Sequence, residues 1–171
     1  MVIRKAELRD IGGIKKLLFQ VNNVHAEYRP DLFFVNGIKY RDEELARILE
    51  DPERPVYVAS DETGAVLGYV FCIFEVTEET TSLHRVKTLY IDDLCVDAAY
   101  RGQQIGTVLY RFAVKLAGES GCSRVTLHAW NFNQAAFAFY EKLGMKPLVT
   151  TMEQRLDEGA GSRENREECP E

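Results

Sequence analysis

Leu94-Cys95-Val96-Asp97-Ala98-Ala99-Tyr100-Arg101-Gly102-Gln103-Gln104-Ile105-Gly106-Thr107 carries an apolar strand into a glycine-bearing turn and straight onto a helix. Ile105, Leu109, Phe112 and Leu116 recur at four-three-four spacing, so one face of that helix is apolar. Gly102 and Gly106 let the backbone curl tightly or a ligand come close. The first turn of a helix leaves N–H groups without partners, and its dipole favours negative charge there. Together these features predict a cradle for a pyrophosphate. The turn lacks the Lys-Ser or Lys-Thr of a P-loop and the three glycines of a Rossmann fingerprint. On these residues alone, an ordinary strand–turn–helix connection is the alternative.

Working outward, Val2–Ala6 reads as a strand, and Asp10 as the N-cap of a helix with Ile14, Leu17, Leu18 and Val21 on one face. Pro30 ends any helix before the aromatic stretch His25–Phe34 is complete. A short helix is predicted from Asp42 to Glu50, with Leu45, Ile48 and Leu49 inward. Strands Val56–Ser60 and Ala65–Val76 flank Asp61-Glu62-Thr63-Gly64, which is hairpin chemistry. A long strand Arg85–Val96 leads into the glycine turn. Beyond its helix come a strand Arg124–Trp130, a helix Asn133–Leu143 ended by Gly144, and a closing strand Lys146–Leu156. From Asp157 to Glu171 the chain is polar and acidic, read as a disordered tail after a domain spanning 1–156.

The chain of 171 residues carries a net charge of −6. The tail accounts for −4 of that, with six acids against two bases, which leaves −2 for residues 1–156. Nothing here resembles the basic face of a nucleic-acid binder. No apolar run approaches the ~20 residues of a membrane span, and Met1–Lys5 lacks the apolar stretch of a signal peptide. Cys72, Cys95, Cys122 and Cys169 lack zinc or disulfide spacing, and His25, His84 and His128 are scattered. A reducing, cytoplasmic setting without a metal site is expected.

A second constellation lies downstream. Asn133 and Tyr140 stand seven residues apart, two helical turns, so they return to one face, with the small Ala136 between them. That slot suits a long thin ligand. Taken alone, Asn133 is equally a helix cap and Tyr140 a half-buried aromatic.

Together the two constellations resemble the GNAT superfamily of coenzyme A-dependent N-acetyltransferases. The first signature of that family, Arg or Gln, two residues, Gly, one residue, Gly or Ala, is met by Arg101 and Gly106, with Gln104 where the first Gly is usual. The second, Asn-x-x-Ala-x-x-aromatic-Tyr and then Gly, is met by Asn133, Ala136, Phe139, Tyr140 and Gly144. The resemblance implies an α/β fold with a mixed sheet of about six to seven strands, about four flanking helices and a splayed central strand pair. It further implies that Leu94, Cys95 and Val96 pair with pantetheine, and that Gly102, Gln103, Gln104, Ile105, Gly106 and Thr107 hold the pyrophosphate beside Arg101. Asn133 and Ala136 would line the pantetheine slot. Tyr140 would stand near the thioester sulfur as general acid. Relatives are often dimers.

Amine acetylation needs a proton acceptor, because an alkylamine with a pKa of about 10.4 is mostly charged at neutral pH. Asp92 and Asp93 on the central strand are the candidates, and a regular strand presents only one of two neighbours to a cleft. The run Tyr90–Val96 is similar to that of diamine acetyltransferases, on which analogy Asp92 is the amine anchor and relay to a water. His128 is a second candidate acceptor, and Glu27 and Tyr28 are candidate substrate contacts. A covalent role for Cys95 lacks an evident neighbouring base. The expected reaction is direct acetyl transfer from acetyl-coenzyme A to a small amine or polyamine. A protein N-terminus or lysine is the alternative acceptor, and a domain that binds coenzyme A without turnover is the alternative of another class.

Overall fold

Apolar side chains on both faces of Val66–Thr77 require cover on both sides, and the fold supplies it. The computed structural model describes residues 1–156, so the expected acidic tail, with Cys169, lies outside the described residues. These fall into two compact units, residues 1–134 and residues 135 onward. In the first unit, β1 (Val2–Lys5), α1 (Ile11–Tyr28), α2 (Asp42–Glu50), β2 (Val56–Ser60), β3 (Val66–Thr77), β4 (Val86–Val96), α3 (Ile105–Glu119) and β5 (Arg124–Leu127) follow in chain order. The sheet runs β1-β2-β3-β4-β5, antiparallel through β4, with β5 parallel to β4.

One face packs on α1 and α2. Ile14, Leu17, Leu18, Leu45, Ile48 and Leu49 meet Val56, Val58, Tyr69, Phe71 and Cys95 in a single core. The other face takes α3, whose Ile105 and Leu109 close over Gly68 while Phe112 packs on Tyr57 at 4.5 Å between ring centroids. A Cβ at Gly68 would lie 2.8 Å from the Cys95 carbonyl oxygen, so the glycine is what lets α3 and β4 come this close. The hairpin forms as expected: Asp61 Oδ1 accepts from Thr63 N and Ala65 N, and Gly64 takes φ 87°.

Several expectations are corrected. Five strands, not six or seven, occur among the described residues, alongside four α-helices. The segment predicted as a closing strand, 146–156, is not one. Its apolar residues Leu148, Val149, Met152 and Leu156 are exposed, and it has no ladder partner among the described residues to satisfy strand N–H and C=O groups. The predicted strand Arg124–Trp130 ends at Leu127, where the ladder stops at the pair Ile91↔Leu127 and leaves later residues no strand to pair with among the described residues.

Asp10 precedes α1 but gives it no side-chain cap. Its buried carboxylate instead accepts Glu7 N at 2.8 Å and both Arg4 guanidinium nitrogens at 2.7 and 2.8 Å, tying β1 to the 3-10 turn Leu8–Asp10. No helix of the described residues is long and apolar enough to cross a membrane.

In the second unit, α4 (Gln134–Lys142, whose first residue closes the first unit) ends where Leu143 N and Met145 N both donate to Tyr140 O at 3.0 Å. Gly144 takes φ 94° there, the left-handed conformation that closes a helix.

Candidate active site

The β3–β4 register pairs Phe71 with Asp93 but Cys72 with Ile91, so Asp92 is an extra residue, a β-bulge. The expectation that strand alternation would turn Asp92 and Asp93 to opposite faces is therefore corrected. A bulge breaks the two-residue period and re-aims its side chains. Both carboxylates reach one atom: Lys39 Nζ donates to Asp92 Oδ2 and to Asp93 Oδ2, each at 3.2 Å. Tyr40 Oη donates to Asp92 Oδ2 at 3.4 Å, and its ring stacks on Phe71.

Burial dominates the Asp93 carboxyl and, against the pull of Lys39, raises its pKa above the usual carboxylate range. For Lys39, burial works against the charge, but Asp93 and then Asp92 outweigh it and push the pKa up to about 12. The buried Tyr69 hydroxyl lies beside the Asp93 carboxyl and favours its charged form.

The glycine turn is held from behind. Buried Asp97, directly after β4, accepts Lys16 Nζ at 2.7 Å and Ala99 N at 3.1 Å, and Gln20 Oε1 accepts Ala98 N at 3.2 Å. The Lys16 bond, with Ala99 N, holds the Asp97 carboxyl below its ordinary pKa. The 3-10 turn Ala98–Tyr100 is thereby fixed to α1, and the chain enters Gly102 at φ 81° and Gln104 at φ 62°. A left-handed Gln104 explains why glycine suits that position. The first bond of α3 is Val108 N to Gln104 O at 3.0 Å. No backbone N–H from Gly102 to Thr107 finds a partner among the described residues, and a Cβ at Gly102 would meet open space. Such a cradle fits a pyrophosphate.

Past Ile91, the side of β4 away from β3 faces no strand among the described residues, so Asp92–Val96 offers backbone groups to an extended ligand. Cys95 belongs to the core instead. Burial, with Asp93 adding to it, pushes its thiol up to about 12, which leaves no nucleophilic thiolate near neutrality.

An aromatic wall joins the end of α1 to the segment after β5. His25 packs on Phe33 at 5.0 Å and Trp130 at 6.3 Å, Tyr28 stacks on Phe132 at 4.7 Å, and Arg29 lies over Trp130. Tyr28 is thus part of this wall, and Glu27 is exposed on α1; it is Lys39 and Tyr40 that touch the carboxylate pair. His128 Nδ1 is bonded to Tyr90 Oη at 3.2 Å. Asn133 directly precedes α4, its N–H donating to Trp130 O at 2.8 Å. Within the second unit, Ala136 and Tyr140 lie four residues apart, on one face of α4.

Residues 21–145 match the acetyltransferase (GNAT) family. The chain belongs to that family. As a GNAT protein it is an acetyltransferase, and GNAT acetyltransferases use acetyl-coenzyme A. It is 26% identical over 164 residues to a thialysine N-epsilon-acetyltransferase of Bos taurus, covering 87% of this chain and 86% of that one. A shorter stretch of 57 residues, 33% of this chain and 38% of the relative, is 37% identical to a putative [ribosomal protein bS18]-alanine N-acetyltransferase of Bacillus subtilis (strain 168). A crystal structure of a mutant of the BH1408 protein from Bacillus halodurans superposes with a TM-score of 0.88 at 29% identity, over 91% of this chain and 99% of that one.

Three contacts around the acid pair and the glycine turn escape sequence reasoning. Lys39 lies in an irregular segment 53 residues before Asp92, where no periodicity marks it. Lys16 and Gln20 look like solvent residues of α1, yet both reach toward Asp97 across more than 75 positions of sequence. The adjacent acids were the one visible signal of the bulge, since a strand seldom spends two charges in a row on its core.

Proposed function

We propose that this GNAT protein transfers acetyl directly from acetyl-coenzyme A to the primary amine of a small cationic acceptor, with a polyamine-like amine the leading class. The observation that carries this reading is the bulge at Asp92, which brings two carboxylates to within 3.2 Å of a single ammonium nitrogen. The likeness to a thialysine N-epsilon-acetyltransferase supports an acceptor with a terminal alkylamine.

Asp92, the more exposed of the pair, anchors the incoming ammonium, with side-chain exposure of 23% against 11% for Asp93. Asp93, its carboxyl raised by burial, receives the proton through Asp92 or a water, leaving the amine lone pair free to attack. The side of β4 beyond Ile91, which pairs with no strand among the described residues, presents the N–H groups that would stabilise the oxyanion. The N–H groups of Gly102–Thr107 bind the pyrophosphate, Arg101 adds charge beside them, and Leu94–Val96 and Asn133 bind the pantetheine arm. Bound acetyl-coenzyme A supplies an activated thioester carbonyl. Tyr140, assigned by its motif, gives the departing thiolate its proton. His128, held by Tyr90, is the reserve proton acceptor. The raised, buried Cys95 thiol supports direct transfer over an acetyl-cysteine.

A peptide amine is the second reading, favoured by the exposed apolar residues Phe34, Val35 and Ile38 in the segment that carries Lys39. Coenzyme A release measured over a panel of diamines, amino acids and short peptides tests both. Asp92→Asn is expected to raise KM for diamines at least tenfold while leaving KM for acetyl-coenzyme A in place. An equal loss with neutral and cationic acceptors would defeat the anchor assignment, and binding of coenzyme A with no turnover of any amine would defeat the enzyme's amine specificity altogether.

A further inference from the structure

We infer that Lys39 is a resident occupant of the acceptor subsite, and that a cationic acceptor binds by exchanging its own ammonium for that of Lys39. This rests on the assignment of Asp92 and Asp93 as the acceptor anchor. An ammonium on the chain already makes the two contacts that the incoming amine needs, at 3.2 Å to each carboxylate. Its side chain is 36% exposed, whereas Asp93 is 11% exposed. The lysine is therefore the most exposed member of the cluster, ahead of Asp92 at 23%.

The segment that delivers Lys39 is anchored on either side of it. Asn22 Nδ2 donates to Phe34 O at 2.9 Å and Asn23 Oδ1 accepts Asn36 N at 3.0 Å. On the other side, Tyr40 stacks on Phe71 and bonds Asp92. With its flanks held, the long aliphatic stem of Lys39 can swing without moving the backbone. Exchange of one ammonium for another leaves the subsite charge unchanged, so the carboxylates are never left buried and unpaired. A buried carboxylate pair would otherwise hold any small cation tightly. Lys39 instead sets a threshold, and an acceptor must bring further contacts to displace it. Because its pKa is pushed up to about 12, Lys39 stays protonated and does not itself compete as a nucleophile.

The size of the effect follows from occupancy. If the subsite is open about a tenth of the time, apparent acceptor affinity is reduced about tenfold. The test compares wild type, Lys39→Met, Lys39→Arg and Asp92→Asn in steady-state kinetics with a diamine. Lys39→Met is expected to lower the diamine KM about tenfold, and Lys39→Arg, which restores a cation, to return KM toward wild type. A diamine KM that is unchanged or raised in Lys39→Met would overturn the exchange. So would acetylation of Lys39 itself on incubation with acetyl-coenzyme A alone, read by mass spectrometry, since the lysine would then be a substrate. If Asp92→Asn raises KM while Lys39→Met fails to lower it, only the exchange is lost. If Asp92→Asn leaves KM unchanged, the acceptor-site reading itself falls.

Discussion

Replacing Gly68 with alanine tests how closely α3 must press on the sheet to present its first turn. Gly68 pairs with Val96 on β4, and the added Cβ would stand 2.8 Å from the Cys95 carbonyl oxygen, 3.1 Å from Leu109 Cδ1 and 3.4 Å from Ile105 Cγ2. The first contact is with backbone, which cannot rotate away, so β3 and β4 or α3 must shift. Overpacking of this kind costs about 1–3 kcal/mol. The stiffer unfolded chain returns about 0.4–1 kcal/mol. A net loss centred on about 1.3 kcal/mol follows, or a fall in Tm of about 3–5 °C for a chain of this size. Differential scanning calorimetry reads that shift. Since Ile105 is the first residue of α3, the same displacement moves the cradle, and KM for acetyl-coenzyme A is expected to rise more than KM for the amine. A Tm equal to or above that of wild type would refute the close approach of Gly68 to Cys95 and α3.

Gln104→Gly removes a left-handed non-glycine residue at φ 62°. Relief of about 1–2 kcal/mol exceeds the entropic cost of about 0.5–1 kcal/mol, so a small rise in Tm is expected, and a fall would contradict it. Arg4→Met is expected to destabilise the fold near neutral pH and much less in acid. Asp10 titrates below its ordinary value, since Arg4 and the Glu7 amide outweigh the opposing effect of burial. The stability it contributes is therefore present above its unfolded pKa of about 3.9 and lost as pH falls through the lower folded value. Thermal unfolding from pH 3 to 8 checks this, and a gap between the two proteins that stays constant with pH would count against it. Tyr140→Phe is expected to cut kcat by about a hundredfold with acetyl-coenzyme A binding intact by calorimetry; an unchanged kcat removes the general-acid role.

What the sequence made legible was local. The apolar spacing of Ile14, Leu17 and Leu18, of Leu45, Ile48 and Leu49, and of Ile105 and Leu109 depends only on helical period, and each of these residues is buried. The glycine turn and the Asn133–Gly144 pattern were equally readable, because positive φ and helix closure leave their marks on neighbouring residues. Long-range partners left none. Nothing about Asp97 in sequence says that Lys16 and Gln20 hold it, nor does Asp10 reveal that Arg4 will claim it from the cap of α1. The strand predicted over 146–156 failed for a related reason: apolar alternation describes a willingness to pair, whereas pairing needs a neighbour. The alternation rule misled most where it is usually safest, at Asp92 and Asp93, since it holds only while the register does.

That one register shift links the two halves of the proposed site. An extra residue in β4 turns the carboxylates of Asp92 and Asp93 to a common side, and the β4–β5 ladder ends at Ile91, the residue just before the bulge. A bulge increases local twist and disturbs pairing, and this one falls where the β4–β5 ladder ends. The proposed amine anchor and the proposed opening for the thioester arm then fall on consecutive residues of one strand. Deleting Asp92 outright would restore two-residue alternation along β4, which separates this account from a simple loss of charge. Asp92→Asn keeps the bulge and is expected to weaken the acceptor alone. The deletion is expected to weaken both acceptor and acetyl-coenzyme A, because continued pairing with β5 would close the edge. Equal behaviour of the two variants toward acetyl-coenzyme A would mean that the bulge and the opening are independent.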